Sequence, residues 1–193
     1  MEKFTVKDLI NVGVFGALYF IVWFLASFLG FIPITIVLIP AICAVIAGIP
    51  LMLFFSKCHT FGMVTILSTL LGLYLVLTGR PWISLIIAIA AGLLTDLIMK
   101  SKDYKSTKMA VLGSGTFSLW MMGLCLPMFF GFRDSYFASV AAGYGAEYAD
   151  ALMALTPDWM FFMLIILSFA GGIIGGLLGL AVLKKHFRKA GMA

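Results

Sequence analysis

The chain has 193 residues, 63% of them hydrophobic and 11% charged, with a formal net charge of +5. A soluble domain carries about a quarter of its residues as charges. A mean hydropathy of +1.16, with 18 Phe and 20 Gly, therefore excludes a water-solvated fold and suits helices packing closely in lipid. At about 20 residues per span, the length admits a single all-α transmembrane domain over residues 1–193, six helices with short connections.

Apolar runs extend from about Leu9 to Leu29, Ile32 to Phe55, Phe61 to Leu77, Trp82 to Met99, Met109 to Phe130 and Trp159 to Leu183. The first is too long for the apolar core of a signal sequence and no small-x-small site follows it, so it reads as a retained span. Thr5 with Asp8 has the spacing of a capping box for the first helix. Thr156, Pro157 and Asp158 have the form of an N-cap, an N1 proline and an early acid for the last. Gly30 to Pro33 and Gly79 to Pro81 read as tight turns. Cys43 and Cys125 lie in apolar runs and Cys58 in a short polar turn, which gives no disulfide framework and predicts three free thiols.

Lys and Arg residues set the orientation, because cytoplasmic loops retain them. With both termini inside, Lys3, Lys7, Lys57, Lys100, Lys102, Lys105, Lys108, Lys184, Lys185, Arg188 and Lys189 are cytoplasmic, and only Arg80 and Arg133 are outside. The basic balance is thus spent on topology and implies no nucleic-acid partner. The one long connection, Gly131 to Asp158, then lies outside. It is predicted to be helical in two pieces, broken at Gly143 and Gly145, with Tyr144 and Tyr148 one turn apart. An ordered loop of this length, at about 131–158, over the mouth of a small bundle is a candidate lid.

The chemistry is sparse. No phosphate-cradling glycine loop with its lysine is present, so the chain is not expected to be its own ATPase, and with no cluster of acids or histidines converging within the membrane it is not expected to be an enzyme of another kind. Gly113, Ser114 and Gly115 resemble a serine nucleophile setting only superficially, because His59 and His186 fall in cytoplasmic polar segments; small residues at a helix contact account for them. Asp96 is the one acid inside an apolar run. It reads either as a proton or cation site or, preferably, as an interfacial partner of Lys100 one turn later.

Gly171, Gly172, Gly175, Gly176 and Gly179 form two overlapping small-residue ladders on the last helix, suited to close packing within the chain or against a partner. Gly13, Gly16 and Ala17 form a shorter small face on the first helix. On the outer side, Arg80, Trp82, Arg133, Asp134, Tyr136, Tyr144, Tyr148 and Trp159 face the same aqueous side in this topology and, with Met128, are the candidate substrate-binding residues. Two cations with amphipathic aromatics suit an anionic or flat ligand. The competing readings are an interfacial aromatic belt for Trp82 and Trp159 and a local pair of Arg133 with Asp134.

The segments TVKDLINVGVFGALYF, PLMLFFSKCHTFGMVTI, TGRPW, FSLWMMGLCLPMFF, RDSYFASVAAGYGAEYADALMALTPDWM and GGIIGGLLGLAVLKKHFRKAG, in this order, closely resemble the Trep_Strep family of bacterial membrane proteins. That family looks like a branch of the substrate-binding S components of energy-coupling-factor transporters, a class of ABC importer of the bacterial cytoplasmic membrane. The resemblance implies a small-molecule nutrient captured outside, a transmembrane coupling subunit and two cytoplasmic ATPases as partners. It also implies docking through the first helix, where Gly13 and Ala17 match the spacing of an AxxxA face. The nutrient it suggests first is haem, as transported ligand and not resident cofactor, with a vitamin-like anion as the other choice. No histidine lies on the outer side, so haem iron would take Tyr136, Tyr144, Tyr148, Met128 or Met153, or no protein ligand, with Arg80 and Arg133 for the propionates. The turn TGRPW has Arg80 where relatives are expected to carry histidine. A resident metal site is not expected. The reading from another class is a stand-alone facilitator or proton-coupled carrier, which would need Asp96.

Overall fold

The computed structural model describes residues 4–31 and 33–189; Lys3, the Ile32 start of the second apolar run and residues 190–193 lie outside the described residues. All regular structure among the described residues is helical, with no strand. Helix α1 (Val6–Ser27) leads through a short 3-10 turn to α2 (Pro33–Phe55), followed by α3 (Met63–Leu77) and α4 (Ile83–Lys100). Helix α5 (Thr107–Ser118) continues through 3-10 turns and the single turn α6 (Met122–Cys125) as far as Met128. Helices α7 (Arg133–Tyr144) and α8 (Ala146–Leu155) then cap one end of the bundle, and α9 (Trp159–Lys189) runs back.

Among the described residues, five helical stretches are long and apolar enough to cross a membrane: Val6–Ser27, Val37–Phe55, Ile83–Lys100, Thr107–Met128 and Trp159–Lys185. The apolar run expected to make the remaining span, α3, is shorter. Its 15 residues reach about 22 Å at 1.5 Å per residue, below the roughly 30 Å of a hydrocarbon core. The connection before it buries Cys58 and Thr60 against the bundle while Ser56, Lys57 and His59 are exposed.

Helix α9 holds the bundle together. A Cβ at Gly171, Gly175 or Gly179 would lie 2.6 Å, 2.3 Å or 2.7 Å from the carbonyl oxygens of Ala41, Ala44 and Gly48 on α2. On the adjoining row, a Cβ at Gly172 would meet the Ser114 carbonyl of α5 at 2.6 Å, and one at Gly176 would meet the Ser114 side chain at 3.0 Å. The two glycine ladders therefore serve two different neighbours within the chain, and backbone touches backbone along both. Ser118 and Ser168 tie α5 to α9 by exchanging hydrogen bonds, each hydroxyl donating to the other's carbonyl at 2.7 and 3.2 Å.

The interior has an aromatic centre, where Tyr19, Phe54, Phe117 and Trp120 are almost fully enclosed. A second cluster joins the cap to the bundle through Phe137, Val140, Ala149 and Leu152 against Met128, Phe129 and Leu164. The outward faces are apolar as well, with Leu9, Ile10, Val14 and Ile21 of α1 and Phe162, Ile166 and Leu177 of α9 exposed. An apolar surface of that extent requires lipid or protein around it.

Local signals behave unevenly. The Thr5 and Asp8 capping box forms, with both reciprocal hydrogen bonds. The cap breaks at Gly145 alone (φ 93°, ψ 157°), a conformation open to glycine, whereas Gly143 lies within α7. Thr156 does not cap the last helix. Its hydroxyl donates back to the Leu152 carbonyl at 2.9 Å and closes α8, while α9 starts beyond it at Trp159.

Gly175→Ala is expected to lower the melting temperature of the detergent-purified protein, at an overpacking cost of about 1–3 kcal/mol. Gly13→Ala, where nothing lies within 4 Å, is expected to leave it unchanged. Equal melting temperatures for the two variants would contradict the backbone contact.

Candidate functional site

The end of the bundle beneath the cap opens into a cleft of about 360 Å³, in the range of small-molecule sites. Its walls come from the end of α1 (Trp23, Phe24, Ser27) and of α3 (Tyr74, Leu75, Thr78), from Arg80, from Leu124 and Met128, and from Tyr136 and Tyr144 of the cap. A neighbouring lobe of about 560 Å³ shares Thr78, Arg80, Tyr136 and Tyr144 and extends to Ser135, Ser139 and Tyr148.

Arg80 is delivered by the way α3 stops. Gly79 adopts a left-handed conformation (φ 89°), its N–H donates to the Val76 carbonyl at 3.0 Å, and the Arg80 N–H donates to the Leu75 carbonyl at 2.9 Å. This is a Schellman motif with glycine at C′, and Pro81 then prevents the helix from resuming. The Arg80 side chain is thereby turned over the bundle mouth, its guanidinium carbon 5.5 Å from the centre of the Tyr136 ring. Burial pushes the Tyr136 phenol above its ordinary pKa, and the Arg80 charge works against that rise. Tyr144 and Tyr148 stack across the Gly145 break, rings 5.0 Å apart and 25° from parallel. Among the described residues, no carboxylate lines either lobe.

Arg133 does other work. Its Nη1 donates to the carbonyls of Met128 at 2.6 Å and Thr156 at 2.8 Å, and its Nη2 to Met153 at 3.5 Å. These oxygens belong to two helix ends, where unpaired carbonyls carry partial negative charge, so the cation is drawn there and pins both strokes of the cap. The local pair with Asp134 does not form, and Asp134 is exposed. Trp82 and Trp159 are 64% and 58% exposed and line neither lobe, as interfacial residues would be. Met128 is buried at the cleft wall, whereas Met153 is exposed and outside it.

Several cleft residues carry no signal in the sequence. Trp23 and Tyr74 sit inside apolar runs, and only the packing of α1 beside α3, with both C-terminal ends at the cleft, brings them together, ring centres 6.0 Å apart. Trp23 is 4% exposed, and its indole N–H has no hydrogen-bond partner among the described residues. An unpaired buried donor costs about 1–3 kcal/mol and calls for an explanation.

At the opposite end, Asp96 is fully buried and does not pair with Lys100. Its Oδ2 accepts from the Gly62 N–H (3.1 Å), the Thr65 N–H (2.8 Å) and the Thr65 hydroxyl (2.6 Å), and its Oδ1 accepts from the Tyr104 hydroxyl (3.0 Å). Gly62, at the N-cap of α3, has no side chain with which to cap, so a carboxylate from α4 does it instead. Asp103 and Tyr104 take left-handed conformations (φ 48° and 59°) in the turn that brings the Tyr104 hydroxyl to this acid. Lys100 extends the other way, its ammonium 4.9 Å from the centre of the Phe61 ring. On α1, Gly13 and Ala17 are exposed, whereas Gly16 faces inward, where a Cβ would lie 2.7 Å from Leu67.

The sequence model of the family described as "Hypothetical bacterial integral membrane protein (Trep_Strep)" matches residues 6–189. The chain belongs to the Trep_Strep family. This Trep_Strep protein is accordingly a multi-pass protein of a bacterial membrane, in agreement with its apolar helices. No match was found among curated proteins or among solved structures.

Arg133→Ala is expected to free the cap, seen as faster amide exchange across residues 133–156, with a stability loss of about 1.5–3 kcal/mol for bonds to a charged group. Unchanged exchange would show that the guanidinium does not hold it. Asp96→Ala strands the amides of Gly62 and Thr65 and is expected to lower thermal stability by about 1–3 kcal/mol, more than Lys100→Ala does.

Proposed function

We propose that this Trep_Strep protein is the substrate-binding S component of an energy-coupling-factor importer, crossing the cytoplasmic membrane six times with both termini inside. The observation that carries the reading is the aromatic cleft beneath the α7 and α8 cap, with Arg80 as its cation and no lining carboxylate among the described residues. Such a cleft suits a small, flat, anionic nutrient. In this orientation it faces outward, and the Gly131 to Asp158 segment acts as its lid. The chain has no nucleotide loop, so energy for import comes from two partner ATPases through a transmembrane coupling subunit.

Haem and a vitamin-like anion both remain within this reading. For haem, the cleft offers Met128, Tyr136 and Tyr144 as candidate iron ligands and Arg80 for a propionate, while Arg133 is already engaged with backbone carbonyls. The exposed Gly13 and Ala17 support α1 as the face that meets the coupling subunit, because nothing among the described residues lies within 4 Å of a Cβ at Gly13. A proton-coupled carrier would use Asp96, yet four donors already hold that carboxylate as a helix cap, an arrangement suited to a fixed role.

Protein tagged in its native operon is expected to co-purify with two ATPases, and their absence would remove the importer reading. After growth with haem and a vitamin mixture, a Soret band stoichiometric with protein would identify haem, and a vitamin in the extract without that band would replace it. Gly13→Leu combined with Ala17→Leu is expected to leave ligand binding intact and abolish uptake; wild-type uptake would remove the docking assignment.

A further inference from the structure

A separate groove of about 330 Å³ runs between α5 and α9 at the end of the bundle away from the cap. Its walls are Val111 and Leu112 of α5 and Ile173, Leu177 and Leu180 of α9, with Lys108 at one end. Leu112 and Leu177 are 38% and 53% exposed, so the groove opens on the apolar outer surface of the bundle. We propose that it binds one phospholipid with an anionic head group, an acyl chain lying between the helices and the phosphate held by Lys108 and Lys184. This site is distinct from the cleft and independent of the importer reading.

The two helices run antiparallel. Ser118 exchanges hydrogen bonds with Ser168, and Gly176 approaches Ser114, so the start of α5 and the end of α9 lie together. Their backbones meet along Gly172 and Gly176, and the larger side chains beside that contact leave the trough. On α9, Ile173, Leu177, Leu180 and Lys184 follow at intervals of four, three and four residues and share one face. On α5, Lys108 precedes Val111 and Leu112 by three and four. Each apolar wall therefore ends in an exposed lysine, and both lysines are at the same end. Lys100, by contrast, is engaged over the Phe61 ring. The start of α5 adds its partial positive charge beside Lys108, and among the described residues no carboxylate lines the groove.

From Ile173 to Leu180 the α9 wall extends about 10 Å at 1.5 Å per residue. That is about two-thirds of one leaflet of a roughly 30 Å hydrocarbon core. The groove thus matches the part of an acyl chain nearest its head group, with cations where the phosphate lies. A zwitterionic lipid carries its own ammonium beside the phosphate and gains less from two lysines. A partner helix would have to bring its own acids to that depth. The anionic lipid supplies both the chain and the counter-charge.

The test titrates lipid-depleted full chain in detergent with dioleoyl phosphatidylglycerol or dioleoyl phosphatidylcholine, bound lipid being counted by native mass spectrometry at low salt. The two lipids share their chains, so a difference reads the head group. The first phosphatidylglycerol is expected to bind about tenfold or more tighter than phosphatidylcholine. Lys108→Gln combined with Lys184→Gln is expected to bring the two within about twofold. Lys57→Gln combined with Lys102→Gln removes the same charge from exposed lysines outside the groove and is expected to keep the preference. Leu177→Trp fills the groove and is expected to weaken phosphatidylglycerol about fivefold or more with both lysines in place. Equal affinity of the two lipids, or equal loss of the preference in the two lysine pairs, would overturn the site in favour of none or of diffuse surface charge. Undiminished binding in Leu177→Trp would overturn the place of the chain, and a wild-type dimer that this variant dissociates would give the groove to a second copy instead. Should Leu177→Trp fail to fold, the comparison of the two lysine pairs decides.

Discussion

The contact on which the rest of this protein depends is the approach of α9 to α2 and α5 along its two glycine rows. In lipid there is no hydrophobic gain from bringing two apolar helices together, so close packing and weak backbone contacts must hold them. Gly171, Gly175 and Gly179 bring α9 against the carbonyls of α2, and Gly172 and Gly176 bring it against α5. Fixing α9 beside α5 also fixes the two ends from which the cap is hung, Met128 and Trp159. The cleft is the space that this suspension leaves between the cap and the ends of α1 and α3.

Four polar groups show how a low-dielectric interior treats its charges and donors. Arg133 meets carbonyls at two helix ends, Asp96 meets amides at the start of a third helix, and both are satisfied by the chain itself. Each compensates a helix terminus of opposite partial charge, which makes them struts. Arg80 and Trp23 differ. The first is turned over an aromatic ring at the mouth, and the second is buried with its donor unused among the described residues.

Where a signal is local, the sequence is readable. The capping box at Thr5 and Asp8, the stop at Gly79 to Pro81 and the break at Gly145 each follow from a few adjacent residues whose geometry admits few solutions. Where the partner is remote, adjacency misleads. Asp96 and Lys100 have the spacing of a helical pair, but burial turns the acid toward α3 and lets the lysine reach Phe61. Arg133 stands next to Asp134 and binds carbonyls on both sides of the cap. Thr156, Pro157 and Asp158 suggest the start of a helix, yet Thr156 finishes the one before.

Composition, run length and glycine spacing alone determined an all-helical chain for a bilayer, a two-piece connection near residues 131–158, and the helix on which close contacts would be made. Those properties are set by the solvent and by backbone conformation within a turn or two. Tertiary structure decided which glycine row meets which helix and which of two arginines faces the cleft. It also made a cleft wall of Trp23 and Tyr74, which lie 51 positions apart in the chain. Pairings of that kind depend on which helices become neighbours, and that is settled only when the whole set is packed at once.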